Sequence, residues 1–279
     1  MRLATYASTG VAISLILVKV AAYWMTDSVA LLSSLVDSLL DAAASLITLL
    51  AVRHALVPAD AEHRFGHGKV EALAALLQAG LIIGSALFLL FEALPRLVDP
   101  QPIEAGSVGI AVMLFSIITT FALTRFHAYV VRRTGSTAIA ADALHYLADL
   151  LTNAGVILAI LLATQLGWLL ADPLIALAIA AYILWSAAQI GRQALDMLMD
   201  RELPETQRQQ ILQVASSHPA VLGVHDLKTR RSGKDIFIQL HLALVGSMRL
   251  YQAPTIADTV EAELPTPFPG AEVTIHQAP

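Results

Sequence analysis

The sequence predicts an α-helical membrane protein, with six transmembrane helices in residues 1–194 and a small cytosolic α/β domain in residues 195–279. Three observations predict it. Hydrophobic types make up 57 % of the 279 residues and charged types 14 %, whereas a soluble domain carries about 25 % charged and at most about 50 % apolar residues. Six stretches are long and apolar enough to cross a hydrocarbon core of about 30 Å, which takes about 20 residues of helix. Beyond Gln193 the charges recur and the apolar runs shorten to the lengths of strands and short helices. The 15 Gly and 12 Pro are unremarkable and exclude a collagen-like repeat, and the absence of Cys excludes disulfides and thiolate metal sites. A net charge of −5 gives no basic footprint for a nucleic-acid partner.

The apolar stretches cover roughly 4–24, 29–52, 72–92, 107–124, 143–168 and 173–190, and the third has no charge from Ala72 to Phe91. The first begins almost at Met1 and is followed by no Ala-x-Ala-like site, so a cleaved signal peptide is not expected. Lys and Arg set the orientation. Arg2, Arg53, Arg64, Lys69, Arg125, Arg132, Arg133, Arg192 and Arg201 flank one side, and only Arg96 the other, so both termini are expected in the cytosol. Lys19 lies inside helix 1, near enough to its outer end to snorkel to the interface. Asp172-Pro173 reads as a helix start with an N-cap, and Asp27 as interfacial. In the tail, Pro204–Ser217 reads as an amphipathic helix, and Leu222–Arg230 with Asp235–Val245 as a hairpin around Ser232-Gly233-Lys234. Ile236, Ile238, Leu240, Leu242 and Leu244 alternate onto one face of the second strand, leaving His241 on the other. Ile256, Val260 and Leu264 mark a second helix and Glu272–His276 a last strand, giving the order α-β-β-α-β.

Two helices carry charges that lipid does not tolerate cheaply. Helix 2 holds Asp37 and Asp41, and helix 5 holds His145 and Asp149. Each pair is spaced i, i+4, so each shares one helical face. An aspartate at mid-bilayer costs about 2.5–3.5 kcal/mol on insertion scales, so three cost about 8–10 kcal/mol unless protonated or neutralised by a cation. Three carboxylates and an imidazole form a four-ligand set suited to Zn²⁺, whereas Mg²⁺ and Ca²⁺ ask for six or more oxygens. Fe²⁺, Mn²⁺ and Co²⁺ also accept such donors. Packing alone would be the other use of the two pairs. Asp142 could line an access path or be solvated at the interface.

Two further groups could bind metal. The loop Pro58-Ala-Asp60-Ala-Glu-His63-Arg-Phe-Gly66-His67-Gly68-Lys69 places one Asp and two His within eight residues, which suits either a cation or a solvated polar loop. His225, His241 and His276 fall one on each predicted tail strand, and could converge on the exposed side of the sheet or be three surface histidines.

Taken together, these residues resemble the cation diffusion facilitators, most closely the bacterial YiiP/FieF branch, over essentially the whole chain. The resemblance rests on the two transmembrane pairs, the Asp60–Lys69 loop, Gly223-Val-His225-Asp-Leu, Phe237-Ile-Gln-Leu-His241 and Ile275-His276-Gln277. It implies a homodimer in the bacterial inner membrane, each tail a metallochaperone-like domain, exchanging cytosolic Zn²⁺ for periplasmic protons by alternating access. Asp37, Asp41, His145 and Asp149 would then be the transport site, Asp60, His63 and His67 an interfacial site, and Lys69 with Asp200 a charge interlock near the dimer hinge. The tail departs from the branch: Ala278 stands where the pattern has Asp, and Pro254 where it has a further His. A binuclear tail site is therefore not expected, although His225 and His241 could hold one ion and water, and the tail should dimerise with weaker metal dependence or none.

Residues and resemblance converge on proton-coupled export of a divalent cation. Zn²⁺ is the expected substrate, with Fe²⁺, Cd²⁺ or Mn²⁺ as alternatives, and Zn²⁺ could also serve as a structural ion. Protons, membrane lipid and a second copy are the other expected partners, and no organic cofactor is. His145 is the expected proton partner, because one imidazole nitrogen cannot hold a metal and a proton together. An intramembrane metalloprotease would need a His-Glu-x-x-His helix and a serine hydrolase a Gly-x-Ser-x-Gly elbow; neither appears. A metal sensor that binds without transporting is separable from a transporter only by flux.

Overall fold

The computed structural model describes residues 1–26, 29–99, 107–168, 170–246, 248–249, 251–264, 268 and 270–278, so Asp27 and Pro279 lie outside it. The chain divides into two units, residues 1–66 with 70–195, and residues 67–69 with 196–279.

The first unit is built on stripes of small residues. Along α1 (Arg2–Thr26) the buried positions are Ala4, Thr5, Ser8, Ala12, Leu15, Lys19 and Ala22, a repeat that lets helix backbones approach closely. This face packs against α2 (Val29–Ala55) and α4 (Ser107–Thr134), while α5 (Thr137–Leu166) packs against α4 and α2. Helix α3 (Lys69–Val98) buries Ala72, Ala75, Ala79, Ile82 and Ala86, and α6 (Ala171–Leu198) buries Ala180, Ile183, Ala187 and Ala194. Ile82, Ala86, Leu144, Ile183 and Ala187 join α3, α5 and α6 in one apolar cluster. Gly155 of α5 admits Ile175 and Ile179 of α6 so closely that a Cβ would stand 2.8 Å from one and 2.9 Å from the other. Leu17, Leu81, Phe88, Phe91 and Trp185 face outward, as suits lipid. Among the described residues, six helices are long and apolar enough to cross a membrane.

The helices outrun the apolar stretches that announce them. Helix α4 continues to Thr134, so Arg125, Arg132 and Arg133 lie on a helix instead of in a loop, and α5 starts at Thr137 instead of residue 143. Hydropathy registers the hydrocarbon, whereas a helix runs until something caps it. Here Gly135 turns the chain at φ 64°, and Ser136 caps α5, its Oγ accepting the Ile139 amide at 3.2 Å. The Asp172 expectation also shifts: α6 begins at Ala171, so Asp172 sits in the first turn and meets Arg96 at 3.4 Å.

In the second unit, α7 (Glu205–Ala215) and α8 (Gln252–Glu263) cover one face of a three-stranded sheet of order β1-β2-β3. Strands β1 (Val221–Ser232) and β2 (Asp235–Leu244) are antiparallel, and β3 (Ala271–Ala278) runs parallel to β2. The alternation of β2 builds the core: Ile238, Leu240, Leu242 and Leu244 pack with Leu203, Ile211, Ile256, Val260, Leu264 and Phe268. The hairpin turn uses Gly233 at φ 60°. A break in register between His225 and Lys228 coincides with Asp226 at φ 51°, which is how a bulge accommodates an extra residue. The short segment His67–Lys69 belongs to this unit, and Gly68 lies so close to the hairpin that a Cβ there would stand 2.3 Å from the Ser232 carbonyl oxygen.

Candidate metal centre

The i, i+4 spacing on α5 and the crossing of α2 over α5 bring three donors together. Asp41, His145 and Asp149 each offer an atom within 4.8 Å of the others. His145 Nε2 is 2.8 Å from Asp41 Oδ1 and 4.0 Å from Asp149 Oδ2. Donors 2.0–2.2 Å from a tetrahedral ion stand about 3.4 Å apart, so these separations bracket what Zn²⁺ needs. Asp37, one turn earlier on α2, is exposed and lies outside this group of three. The rings of His145 and Tyr146 meet edge to face at 5.7 Å, which braces the imidazole from its own helix.

Lys19 is placed otherwise than the sequence suggests. It does not snorkel: it is 8 % exposed, and its ammonium donates to the Ser34 carbonyl at 3.0 Å and to Ser38 Oγ at 2.5 Å. Ser38 lies between Asp37 and Asp41, so the Lys19 amine sits on the helix that carries both carboxylates. Two polar groups of α2 thus stand where water would otherwise surround the buried amine.

Asp142 is likewise not solvated; it is 1 % exposed. Ser8 Oγ lies 2.5 Å from its Oδ2, and Gln78 Nε2 lies 3.3 Å from its Oδ1. His127 of α4, fully buried, places Nε2 2.9 Å from Ser8 Oγ and 3.7 Å from Asp142 Oδ2. Ser45 and Tyr146 complete the group: their hydroxyls are 2.9 Å apart, and Tyr146 donates to the Ser8 carbonyl at 3.1 Å. Sequence reasoning passed over His127, Ser8 and Gln78. They come from three helices at unrelated positions, so no spacing signals them; a His inside an apolar run was the one available sign.

In the loop between α2 and α3, Asp60 Oδ1 accepts the amides of Glu62 and His63 at 2.9 and 2.6 Å and lies 3.4 Å from His63 Nδ1. This is an Asx-type turn. Both residues belong to the first unit, whereas His67, which is 7 % exposed, belongs to the second. In the second unit Lys69 Nζ stands 2.9 Å from Asp200 Oδ1 and donates to the Leu198 carbonyl at 3.2 Å, with Arg230 3.3 Å from the same carboxylate. Partial burial pushes the Asp200 carboxyl up, but hydrogen bonds from Lys69 and Arg230 outweigh it and hold the group below its ordinary value.

The tail histidines form a row across the sheet. His225 pairs with His241 and His241 with His276, with ring centroids 5.3 and 4.9 Å apart. The group of donors close enough to share an ion is His225, Asp226 and His241, in which Asp226 is an addition and His276 is absent. Asp226 owes its place to the bulge, and its hydrogen bond to His225 at 3.2 Å holds its carboxyl below the ordinary value. Pro254 lies in the first turn of α8 and Ala278 ends β3, neither offering a donor.

Known proteins match this chain along its whole length. The family model for the cation efflux transmembrane domain covers residues 5–199, and that for the cytoplasmic domain of cation efflux proteins covers residues 203–279. A cation-efflux pump FieF of Klebsiella pneumoniae subsp. pneumoniae is 48 % identical over 276 residues, 99 % of this chain and 92 % of its own. A cation-efflux pump FieF of Yersinia pestis is 48 % identical over 279 residues, 100 % of this chain and 93 % of its own. A solved chain from work on the mode of action of CzrB, studied as a zinc transporter, is 35 % identical over 28 % of this chain and 96 % of its own, with a TM-score of 0.27. The FieF relatives are named as cation-efflux pumps, which are transporters and not enzymes. A multi-pass helical domain joined to an α-β-β-α-β tail, matched by both family models, makes this chain a member of the cation efflux (cation diffusion facilitator) family, on its YiiP/FieF branch.

Proposed function

We propose that this protein exports Zn²⁺ from the cytosol in exchange for protons, by alternating access, with Fe²⁺ and Cd²⁺ as further substrates of the same site. The observation that carries this reading is the convergence of Asp41, His145 and Asp149 from two membrane helices to within 4.8 Å of one another. Two carboxylates and an imidazole supply the negative charge and the nitrogen that a borderline-soft dication prefers. Asp37 would join as fourth ligand by a modest turn of α2. His145 would carry the exchanged proton, since metal and proton compete for Nε2. An incoming Zn²⁺ displaces protons on the cytosolic side, and protons displace Zn²⁺ on the other. Protonation then resets the empty site without leaving bare carboxylates in lipid.

The remaining groups take supporting roles in this proposal. Asp60, His63 and His67 would hold a second cation at the cytosolic end, and His225 with His241, aided by Asp226, a third in the tail, with His276 at its edge. Lys69 and Asp200, both in the second unit, would form a charge interlock near the dimer hinge. A homodimer in the bacterial inner membrane with both termini cytosolic accords with the tail's family model, which is labelled a dimer domain, and with the Lys and Arg distribution.

The test is Zn²⁺ uptake into proteoliposomes under an imposed pH gradient, with Asp149→Ala beside it. Gradient-driven uptake, lost in the variant while the protein stays folded, is the expected result. Uptake that persists in both Asp149→Ala and Asp41→Ala would overturn the site. No flux of Zn²⁺, Fe²⁺ or Cd²⁺ in a folded wild type would overturn the export reading.

A further inference from the structure

Asp142 and His127 lie buried outside the cation site, and the exchange just described makes no use of them. The two residues and Ser8 between them are 1 %, 0 % and 0 % exposed. Ser8 Oγ stands 2.5 Å from Asp142 Oδ2 and 2.9 Å from His127 Nε2, within hydrogen-bond reach of both. One hydroxyl hydrogen cannot serve two acceptors. Either Asp142 or His127 Nε2 must therefore bring a second hydrogen to Ser8, and the two arrangements interconvert when the hydroxyl passes one proton on and turns.

Charge counting gives the consequence. With its proton the pair is neutral, either as imidazolium with carboxylate or as imidazole with carboxylic acid. Without it, one net negative charge lies inside the membrane domain. Among the described residues Asp142 makes its ion pair with His127 and with no Lys or Arg. The other neighbours are neutral donors: Gln78 from α3 at 3.3 Å and Ser45 from α2 at 3.5 Å. Titratable groups nearby are Tyr146 on α5, then His145 and Asp41 of the cation site, and Glu71 two turns before Gln78 on α3. A negative charge left inside an apolar domain is costly unless a positive charge lies close. The cation site lies one turn further along α5: from Asp142 to His145 the rise is about 4.5 Å. A dication there would compensate the negative charge left behind.

We propose that His127, Ser8 and Asp142 form a proton relay separate from the cation site, which releases its proton when a divalent cation binds among Asp41, His145 and Asp149. The inference rests on the antiport reading. It adds a second source of exchanged protons, on α1, α4 and α5, that makes no contact with the metal.

The experiment uses the full-length protein. Protons released per Zn²⁺ bound are read by calorimetry in buffers of different ionisation enthalpy, and the pH profile of Zn²⁺ flux is read in proteoliposomes. Asp142→Asn and His127→Gln preserve size and much of the hydrogen bonding but cannot hold the shared proton. Both are expected to bind Zn²⁺ while releasing about one proton fewer per ion than the wild type, with a displaced pH profile. Release and pH profile identical to the wild type would overturn the relay, because a purely structural network predicts that result. If these variants fail to fold, Ser8→Ala decides. Slower flux at unchanged Zn²⁺ affinity supports the relay, and unchanged flux and pH profile overturns it. A wild type whose flux ignores the pH gradient overturns the antiport reading together with the relay; a coupled wild type with indifferent variants overturns the relay alone.

Discussion

Replacing Gly68 by Ala tests how tightly the segment His67–Lys69 packs on the β1–β2 hairpin of its own unit. The added Cβ would stand 2.3 Å from the Ser232 carbonyl oxygen, 2.5 Å from its carbon and 2.8 Å from its Oγ. Carbon and carbonyl oxygen approach to about 3.3 Å at the closest, so the two segments must part by about 1 Å. Neither side yields easily. The obstruction is backbone, and the turn at Gly233 already lies so near that a Cβ there would meet the Gly68 Cα at 3.0 Å. Overpacking of this kind costs about 1–3 kcal/mol. In local opening that is a factor of about 5 to 150. Hydrogen exchange on the full chain in detergent reads it directly: amides around the Ser232–Asp235 turn should exchange faster by that factor in Gly68→Ala. Gly10→Ala, where a Cβ meets nothing within 4 Å, should leave them unchanged. Ser232→Gly should not rescue, because the nearest atoms are main chain. Wild-type exchange in Gly68→Ala, or full rescue by Ser232→Gly, would refute the reasoning.

Other outcomes follow from the same geometry. Gly155→Val should push α5 from α6 and lower thermal stability in detergent by about 1–3 kcal/mol, and pairing it with Ile179→Ala should recover part of the loss. Ser136→Ala removes the hydroxyl that accepts the Ile139 amide, and should destabilise the start of α5 by about 1 kcal/mol, read as faster exchange at Ile139. Asp200, 42 % exposed and held below its ordinary titration range, should contribute under about 1 kcal/mol. Its folded value is depressed, so that contribution is present above about pH 4 and is lost as the pH falls below it. Asp200→Asn should weaken the tail at neutral pH and flatten this acid dependence in urea unfolding.

What the sequence discloses and what it hides follow one physical division. Periodic features are legible: apolar stretches of membrane length, the alternation of Ile238, Leu240, Leu242 and Leu244, and the i, i+4 pairs that put Asp41, His145 and Asp149 on facing stripes. Features that depend on which helices become neighbours are not. Ser8, Gln78, His127 and Asp142 stand on four helices, and no local pattern joins them until α1, α4 and α5 pack. Lys19 misled for a related reason. Its place in helix 1 suggested an interfacial amine, whereas the Ser34 carbonyl and Ser38 hydroxyl of a neighbouring helix supply what water would. Asp226 escaped notice because only a break in strand register turns its carboxylate toward His225. Hydropathy places helix ends short where a polar or charged turn stays helical, as around Arg125 at the end of α4 and Asp142 near the start of α5.

The pairing of His225, His241 and His276 across the sheet has a consequence for how this tail can vary. Side chains alternate faces along a strand, so sliding β2 by one residue would turn His241 into the core, breaking the row at its centre, and expose Leu240 and Leu242. The histidines therefore inherit their alignment from the core, with no device of their own. Any change that loosens the grip of Ile238, Leu240 and Leu242 scatters the row as well. Conversely, the row can lose a member, or gain an acidic neighbour such as Asp226, at little expense to folding. Evolution is free to tune, weaken or discard the exposed face while the buried one keeps the frame.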